Sequence, residues 1–200
     1  MTEPLFKTSQ AALTFAYNAT HAVQTRPAMS KMADKSASSS GKGLIGVDAA
    51  AQAGMILEPI KSLSRLDKAI LLARFAPRGS ACPCCGGAVP NLIWLGAIRE
   101  ISDAAVTQAL TGHITMRVLR DGLVMRYFGE KVHLQKLAKQ AEVAPNTVTA
   151  QNSQIVQWLH GTRTTKKGTE RVDGIKGVEQ LAMDRVDAIL RGIGIVGEPE

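Results

Sequence analysis

The sequence predicts an all-α protein: a bundle of seven or eight helices with a short cysteine-rich loop and, in its C-terminal half, two short amphipathic helices around a sharp bend. Three observations predict it. Apolar residues make up 45% of the 200 residues and aromatics only 4%, which supplies a core but few of the side chains that favour strands. Apolar residues recur at helical spacing in one segment after another. Runs of β-branched residues are scarce, so any strands should be minor. Two hundred residues allow one medium domain or two small ones. The chain is expected to divide into a helical body over 1–112, with its Cys-rich turn at 82–87, and a second part over 113–200. That second part holds the paired helices, a basic arm at 160–176 and a C-terminal helix at 175–191.

Taken in order, Ser9 to Gln24 puts Ala12, Phe15, Ala16 and Ala19 on one helical face, with Ser9 as N-cap and Pro27 ending any helix nearby. Lys35 to Gly43 runs through Ser, Gly and Lys with no apolar period and reads as a linker or surface loop. Its SSSGKG lacks the spacing of a phosphate-binding loop, and no strand precedes it. Asp48 caps a helix through AAAQAGMILEPIKSL that breaks near Pro59. Ser64 or Asp67 starts another through KAILLARFA, which Pro77 stops. NLIWLGAIREISDAAVTQAL repeats apolar side chains at Trp94, Ile98, Ile101, Ala105 and Ala109. HITMRVLRDGLVMRYF carries Ile114, Val118 and Met125, with Gly122 as a weak point. The last helix aligns Ile175, Val178, Ala182, Val186 and Ile189; it either packs back on the paired helices or supplies a homodimer contact.

The formal charge is +7 and the pI about 9.5. Between Met116 and Lys176 there are eleven Lys and Arg against five Asp and Glu, so most of the surplus lies on and around the paired helices. Such a concentration suits a polyanion binder, because neutralising phosphates releases condensed counterions; the alternative is an ordinary solvated surface.

Within LQKLAKQAEVAPNTVTAQNSQIVQWL, Leu134, Leu137 and Ala141 give the first helix an apolar side. Ala138 is the small residue at the crossing, and Val143 plugs the turn. Pro145 suits the first position of the second helix, where a missing N–H costs nothing, and Val148, Ile155 and Leu159 form that helix's buried side. This is the pattern of a helix-turn-helix, in which the first helix braces the second and the second presents side chains to base edges in the major groove; the alternative is an ordinary helical hairpin in a bundle core. The pattern is broken three times. Glu142 stands where the turn usually has Gly, Ala144 replaces a Ser or Thr cap at a cost of about 1 kcal/mol, and Gln151 interrupts the inner stripe.

On the outer face, Asn146, Thr149 and Ser153, with Thr147 and Asn152, are expected to meet bases, since Asn pairs bidentately with adenine and Thr offers its methyl to thymine. Lys131, Lys136 and Lys139 are expected to reach phosphates; the alternative is a solubilising face. Trp158 reads as core beside Ile155 and Leu159. After it, HGTRTTKKGTERVDGIKG holds Arg163, Lys166, Lys167 and Arg171 between glycines with no apolar period. It reads as a mobile arm or wing along the DNA backbone, where contacts position rather than specify.

Cys82-Pro83-Cys84-Cys85-Gly86-Gly87 contains C-P-x-C-G-G, a knuckle whose tight turn brings thiolates together and whose Gly residues permit unusual dihedrals. Cys82, Cys84 and Cys85 are the candidate ligands for Zn2+. A structural zinc takes four, so the fourth would come from His113, His133, another side chain or a second subunit. A reduced turn without metal is the alternative. No H-E-x-x-H or H-x-E pairing and no Ser/His/Asp order is present, and the histidines, including His21 and His160, are scattered, so no catalytic activity is expected. No apolar run approaches the roughly 20 residues of a membrane helix, and the N-terminus lacks a basic region followed by a long apolar run. With an odd cysteine count, these features point to a soluble protein of a reducing, cytoplasmic compartment.

The run L-x-x-L-A-x-x-A-x-V-x-x-x-T-V resembles the helix-turn-helix of bacterial and phage transcription regulators. With SQAALTFAYNATHA, GKGLIGVDAAAQAGMI, AILLARFAPR and the cysteine turn, the chain is similar to phage and prophage DNA-binding proteins of proteobacteria. It is more distantly similar to the Q-type antiterminators of lambdoid phages, which combine a zinc-binding insertion in a helical body with DNA and RNA polymerase contacts. Those usually carry paired C-x-x-C elements, and one is visible here. The resemblance implies a sequence-specific regulator acting on double-stranded DNA in a bacterial host cell, and as an antiterminator also on bacterial RNA polymerase. The alternative is a protein-protein adaptor for RNA polymerase or another host protein, with little direct DNA contact.

Overall fold

The computed structural model describes residues 4–25, 47–82, 84–111, 115–162, 165–167, 170–172 and 174–197. The linker expected at Lys35 to Gly43, Pro27, Ile114, His113 and Arg163 lie outside these residues. Among the described residues there are eight helices: α1 (Ser9–Thr25), α2 (Val47–Ile60), α3 (Arg65–Phe75), α4 (Leu92–Gln108), α5 (Arg117–Tyr127), α6 (Leu134–Gln140), α7 (Pro145–His160) and α8 (Val178–Gly192). The strands are two antiparallel pairs, β1 (Gly79–Ala81) with β2 (Ala88–Pro90), and β3 (Thr165–Lys167) with β4 (Glu170–Val172). The protein is thus mainly helical with minor strands, as the apolar periodicity predicts. No helix among the described residues is long and apolar enough to cross a membrane.

Contacts gather into two units. The first comprises Met1–Ser64, Phe75–Trp94 and Arg185–Glu200. Its α1 and α2 pack together through buried alanines, Ala12 and Ala16 on one and Ala49 and Ala53 on the other, beside Leu13, Ile56 and Ile60. Small side chains let the two helices approach closely. The chain ends meet here: Phe6 forms a parallel bridge with Val196, its N–H donating to Ile195 O at 3.1 Å, and the Phe6 and Phe15 rings lie 5.5 Å apart. Thr8 rather than Ser9 caps α1, since the Ala11 N–H donates to Thr8 Oγ1 at 3.2 Å. Ser9 is the first helical residue and its buried hydroxyl donates to Asp187 Oδ1 at 2.5 Å. A tertiary partner has taken the hydroxyl that local pattern assigns to the cap. Asp48 likewise falls in the first turn of α2 instead of preceding it, where a carboxylate still favours the helix dipole. Asn91 caps α4, accepting from the Ile93 N–H at 3.0 Å while its own amide donates to Pro77 O at 2.7 Å.

The second unit comprises Arg65–Arg74 and Leu95–Asp184. Its core is built from Ile70, Leu71, Ile98, Ile101, Ala105, Leu119, Leu123, Val124, Phe128, Val148, Ile155, Leu159 and Ala182, all buried. The α5 stripe differs from the expected one: Val118 is 51% exposed, and Leu119, Leu123 and Val124 are buried instead. Gly122 explains the shift. A Cβ there would lie 2.8 Å from Leu137 Cδ1, so the missing side chain admits α6 against that face. Ile175 is also corrected, standing before α8 and 73% exposed. The stripe of α8 is Ala182, Val186 and Leu190, with Val178 and Ile189 half-buried beside it.

Glu179 anchors the start of α8 within the second unit. Arg74 donates to its two oxygens at 2.5 and 2.8 Å, and the Tyr127 hydroxyl donates to Oε2 at 2.5 Å. The same guanidinium lies 5.1 Å from the centre of the Phe128 ring, a cation–π contact worth roughly 0.5–2 kcal/mol.

Candidate nucleic-acid interface and cysteine turn

Residues 134–160 form two helices joined by a tight turn. The turn has the hydrogen bonds of a Schellman motif: the Val143 N–H donates to Ala138 O at 3.0 Å and the Glu142 N–H to Lys139 O at 3.3 Å. Such a motif puts one residue in the left-handed region, and that residue is Glu142, with φ of 52°, alone among the described non-glycine residues. Its place is the one where the sequence pattern usually has Gly. Ala144, with φ −58° and ψ 135°, precedes α7 with no side-chain cap bond, and Pro145 opens the helix. Leu137, Ala138 and Ala141 are buried on α6 and its C-cap.

On α7 the inner flank is Val148, Gln151, Ile155 and Leu159, each 2% exposed or less. Gln151 therefore belongs to the inner stripe while breaking its chemistry; its Oε1 is buried and without a partner among the described residues. The outer flank is open. Asn146, Thr147, Thr149 and Ser153 are exposed, and Asn152 is half-buried. The Thr149 hydroxyl donates to Pro145 O at 3.0 Å and the Ser153 hydroxyl to Thr149 O at 3.1 Å. These back-bonds restrain the side-chain rotamers and leave each hydroxyl oxygen free to accept a further bond. Trp158 is half-buried, its indole N–H donating to Gln108 Oε1 at 3.2 Å.

Lys131, Lys136 and Lys139 are exposed, and none is paired with an acid among the described residues. Other basic residues of the region are engaged: Arg117 and Arg120 with Asp103 at 3.0 and 3.3 Å, and Lys176 with Asp184 at 2.5 Å.

The basic segment after α7 differs from the unstructured arm its composition suggests. Thr165–Lys167 pairs antiparallel with Glu170–Val172, Lys166 opposite Arg171 and Lys167 opposite Glu170. The hairpin closes at its base through a Gly161–Lys176 bridge and a bond from the Thr162 N–H to Ile175 O at 2.9 Å. A Cβ on Gly161, whose φ is 87°, would sit 2.2 Å from Ile175 O. Glycine is therefore required where α7 hands over to the hairpin. Three-residue strands with no apolar alternation carry no signal in sequence; the flanking glycines were the available clue.

The cysteine turn lies in the first unit at the tip of the β1–β2 hairpin. The Cys82 N–H donates to Gly87 O at 2.6 Å and the Gly86 N–H returns to Cys82 O at 2.9 Å, with Gly86 at φ 69°. The Sγ atoms of Cys82, Cys84 and Cys85 all lie within 4.8 Å of one another, so together they could hold a metal ion. Adjacent Cys84 and Cys85 both bring their sulfurs within that distance, as a third ligand requires. No other His, Cys, Asp or Glu of the described residues joins the group. The Cys82 and Cys84 sulfurs are 2.9 Å apart. The Cys84 thiol stabilises the Cys82 thiolate and draws its pKa down to about 7, while the same contact pushes Cys84 up.

A shallow groove of about 1020 Å³ in the first unit is lined by Thr8, Thr14, Phe15, Asn18, His21 and Ser80, among others. Compared with known proteins, the chain matches no family model, no curated protein and no solved structure.

Proposed function

We propose that this chain is a DNA-binding transcription regulator that acts by binding rather than catalysis, with residues 134–160 serving as a helix-turn-helix. The observation that carries the reading is the division of α7: its inner flank is sealed by packing, and its outer flank is polar, exposed and uncovered among the described residues. In this reading Asn146, Thr149 and Ser153, with Thr147 and Asn152, meet base edges in the major groove. Lys131, Lys136 and Lys139 meet phosphates, and the hairpin bearing Lys166, Lys167 and Arg171 follows the backbone as a wing. The phage or prophage setting rests on the sequence resemblance alone. As a zinc site the cysteine turn supplies three of the four ligands, and Zn2+ there requires one from outside the group.

The test begins with selection of bound fragments from random duplexes at two salt concentrations, followed by anisotropy titrations on a selected duplex. Asn146→Ala or Thr149→Ala should weaken the selected duplex by about 1 to 3 kcal/mol and leave random DNA unchanged. Lys136→Ala with Lys139→Ala should lower the salt slope by about 0.9 for each phosphate no longer neutralised, for every sequence alike. A protein that selects no sequence and shows no salt-dependent binding does not have this function.

A further inference from the structure

The hairpin GSACPCCGGAVP, residues 79–90, contains no histidine, no carboxylate and no amide side chain. Its side-chain donors are three thiols and the Ser80 hydroxyl. Backbone geometry, rather than sequence distance, brings the thiols to one point: the bonds linking Cys82 with Gly86 and Gly87, and the left-handed Gly86, fold the loop so that all three sulfurs lie within 4.8 Å of one another. Cys84 and Cys85 are exposed, so an ion at the tip has open access. Ligand number then decides what fits. Structural Zn2+ is held by four protein ligands, and no fourth joins the group among the described residues. Soft thiolate donors select Cu(I) as well as zinc, and three sulfurs are enough for Cu(I) or As(III).

We propose that Cys82, Cys84 and Cys85 form a three-thiolate site for a thiophilic ion that is coordinatively complete with three sulfurs, of the Cu(I) or As(III) type. Binding involves no change of oxidation state. Cu(I) gains three Cu–S bonds as three thiol protons pass to solvent. Arsenous acid exchanges three As–O bonds for three As–S bonds, and each thiol proton leaves with a hydroxide as water. The bound ion also closes the β1–β2 hairpin. Two three-residue strands are marginal in water by themselves, and a link from Cys82 to Cys84 and Cys85 holds the loop between them. The inference is independent of DNA binding, since it concerns a different unit and a different set of residues.

The test uses the full chain, reduced and kept under argon. It is titrated separately with arsenite, with Cu(I) delivered from a competing chelator, and with Zn2+. Ultraviolet charge-transfer absorption and the number of thiols still open to alkylation are read at each step. The expected result is one soft ion per chain with all three thiols protected, and uptake of either ion suffices. Cys82→Ser, Cys84→Ser and Cys85→Ser should each lower the affinity for the soft ion, since two thiolates hold it less tightly than three. The far-ultraviolet dichroism of these variants, whose changes lie at an exposed tip, should match the parent. The proposal is overturned if neither ion protects three thiols, or if any one Ser variant keeps the parent's affinity for both ions. It is also overturned if Zn2+ displaces both soft ions and X-ray absorption finds a nitrogen beside three sulfurs.

Discussion

At Glu142 the backbone adopts a conformation that side chains with a Cβ disfavour. A left-handed non-glycine residue costs roughly 1–2 kcal/mol, and the Schellman bonds around the turn offset it. Glu142→Gly should therefore raise stability by about 1 kcal/mol in urea unfolding, the relief of strain exceeding the entropy glycine adds to the unfolded chain. An unchanged or lowered midpoint would show that the Glu142 side chain contributes more than the strain removes. Ala144 is the second departure. Ala144→Ser supplies the missing oxygen to the first turn of α7 and should add about 1 kcal/mol. Both positions were legible as exceptions in the sequence, because turn chemistry is local. Where the Ser9 hydroxyl goes was not legible, because its partner, Asp187, lies 178 residues away.

At the scale of the element, stability and binding should separate on α7. Ile155 is fully buried on the inner flank, so Ile155→Ala should cost about 2–5 kcal/mol in thermal or denaturant unfolding. Thr149→Ala on the outer flank should change stability by no more than about 0.5 kcal/mol. If the two variants were equally destabilised, the outer flank would be part of the packing and unavailable to a duplex. The helices themselves were readable because their apolar period is strong and lies within each segment. The α5 stripe differs from its sequence pattern by one position, Leu119 for Val118, because which flank is buried depends on α6 fitting against Gly122. That is a fact about a neighbour rather than about the segment.

At the scale of the whole molecule, each unit carries one of the two tyrosines, Tyr17 in the first and Tyr127 in the second. Burial pushes Tyr17 up to about 12, and burial together with the hydrogen bond to Glu179 raises Tyr127 well above the ordinary value of a phenol. A pKa raised on folding contributes stability that is fully present below the unfolded value of about 10 and is lost as pH rises through the folded value. Absorbance at alkaline pH should therefore show little tyrosinate near pH 10, and ionisation should accompany unfolding as pH climbs beyond it. Tyrosinate that grows in near pH 10 with the dichroism intact would contradict the raised values of both half-buried phenols. The sequence by itself determined the helical class, the basic surplus on residues 116–176, the paired helices and the cysteine triplet, since composition and short-range period suffice for each. Tertiary structure decided which flank of each helix is sealed, that two glycine-bounded segments are hairpins, and that three neighbouring thiols converge. These depend on contacts between residues distant in the chain or on backbone dihedrals, and neither is written in a local pattern of side chains.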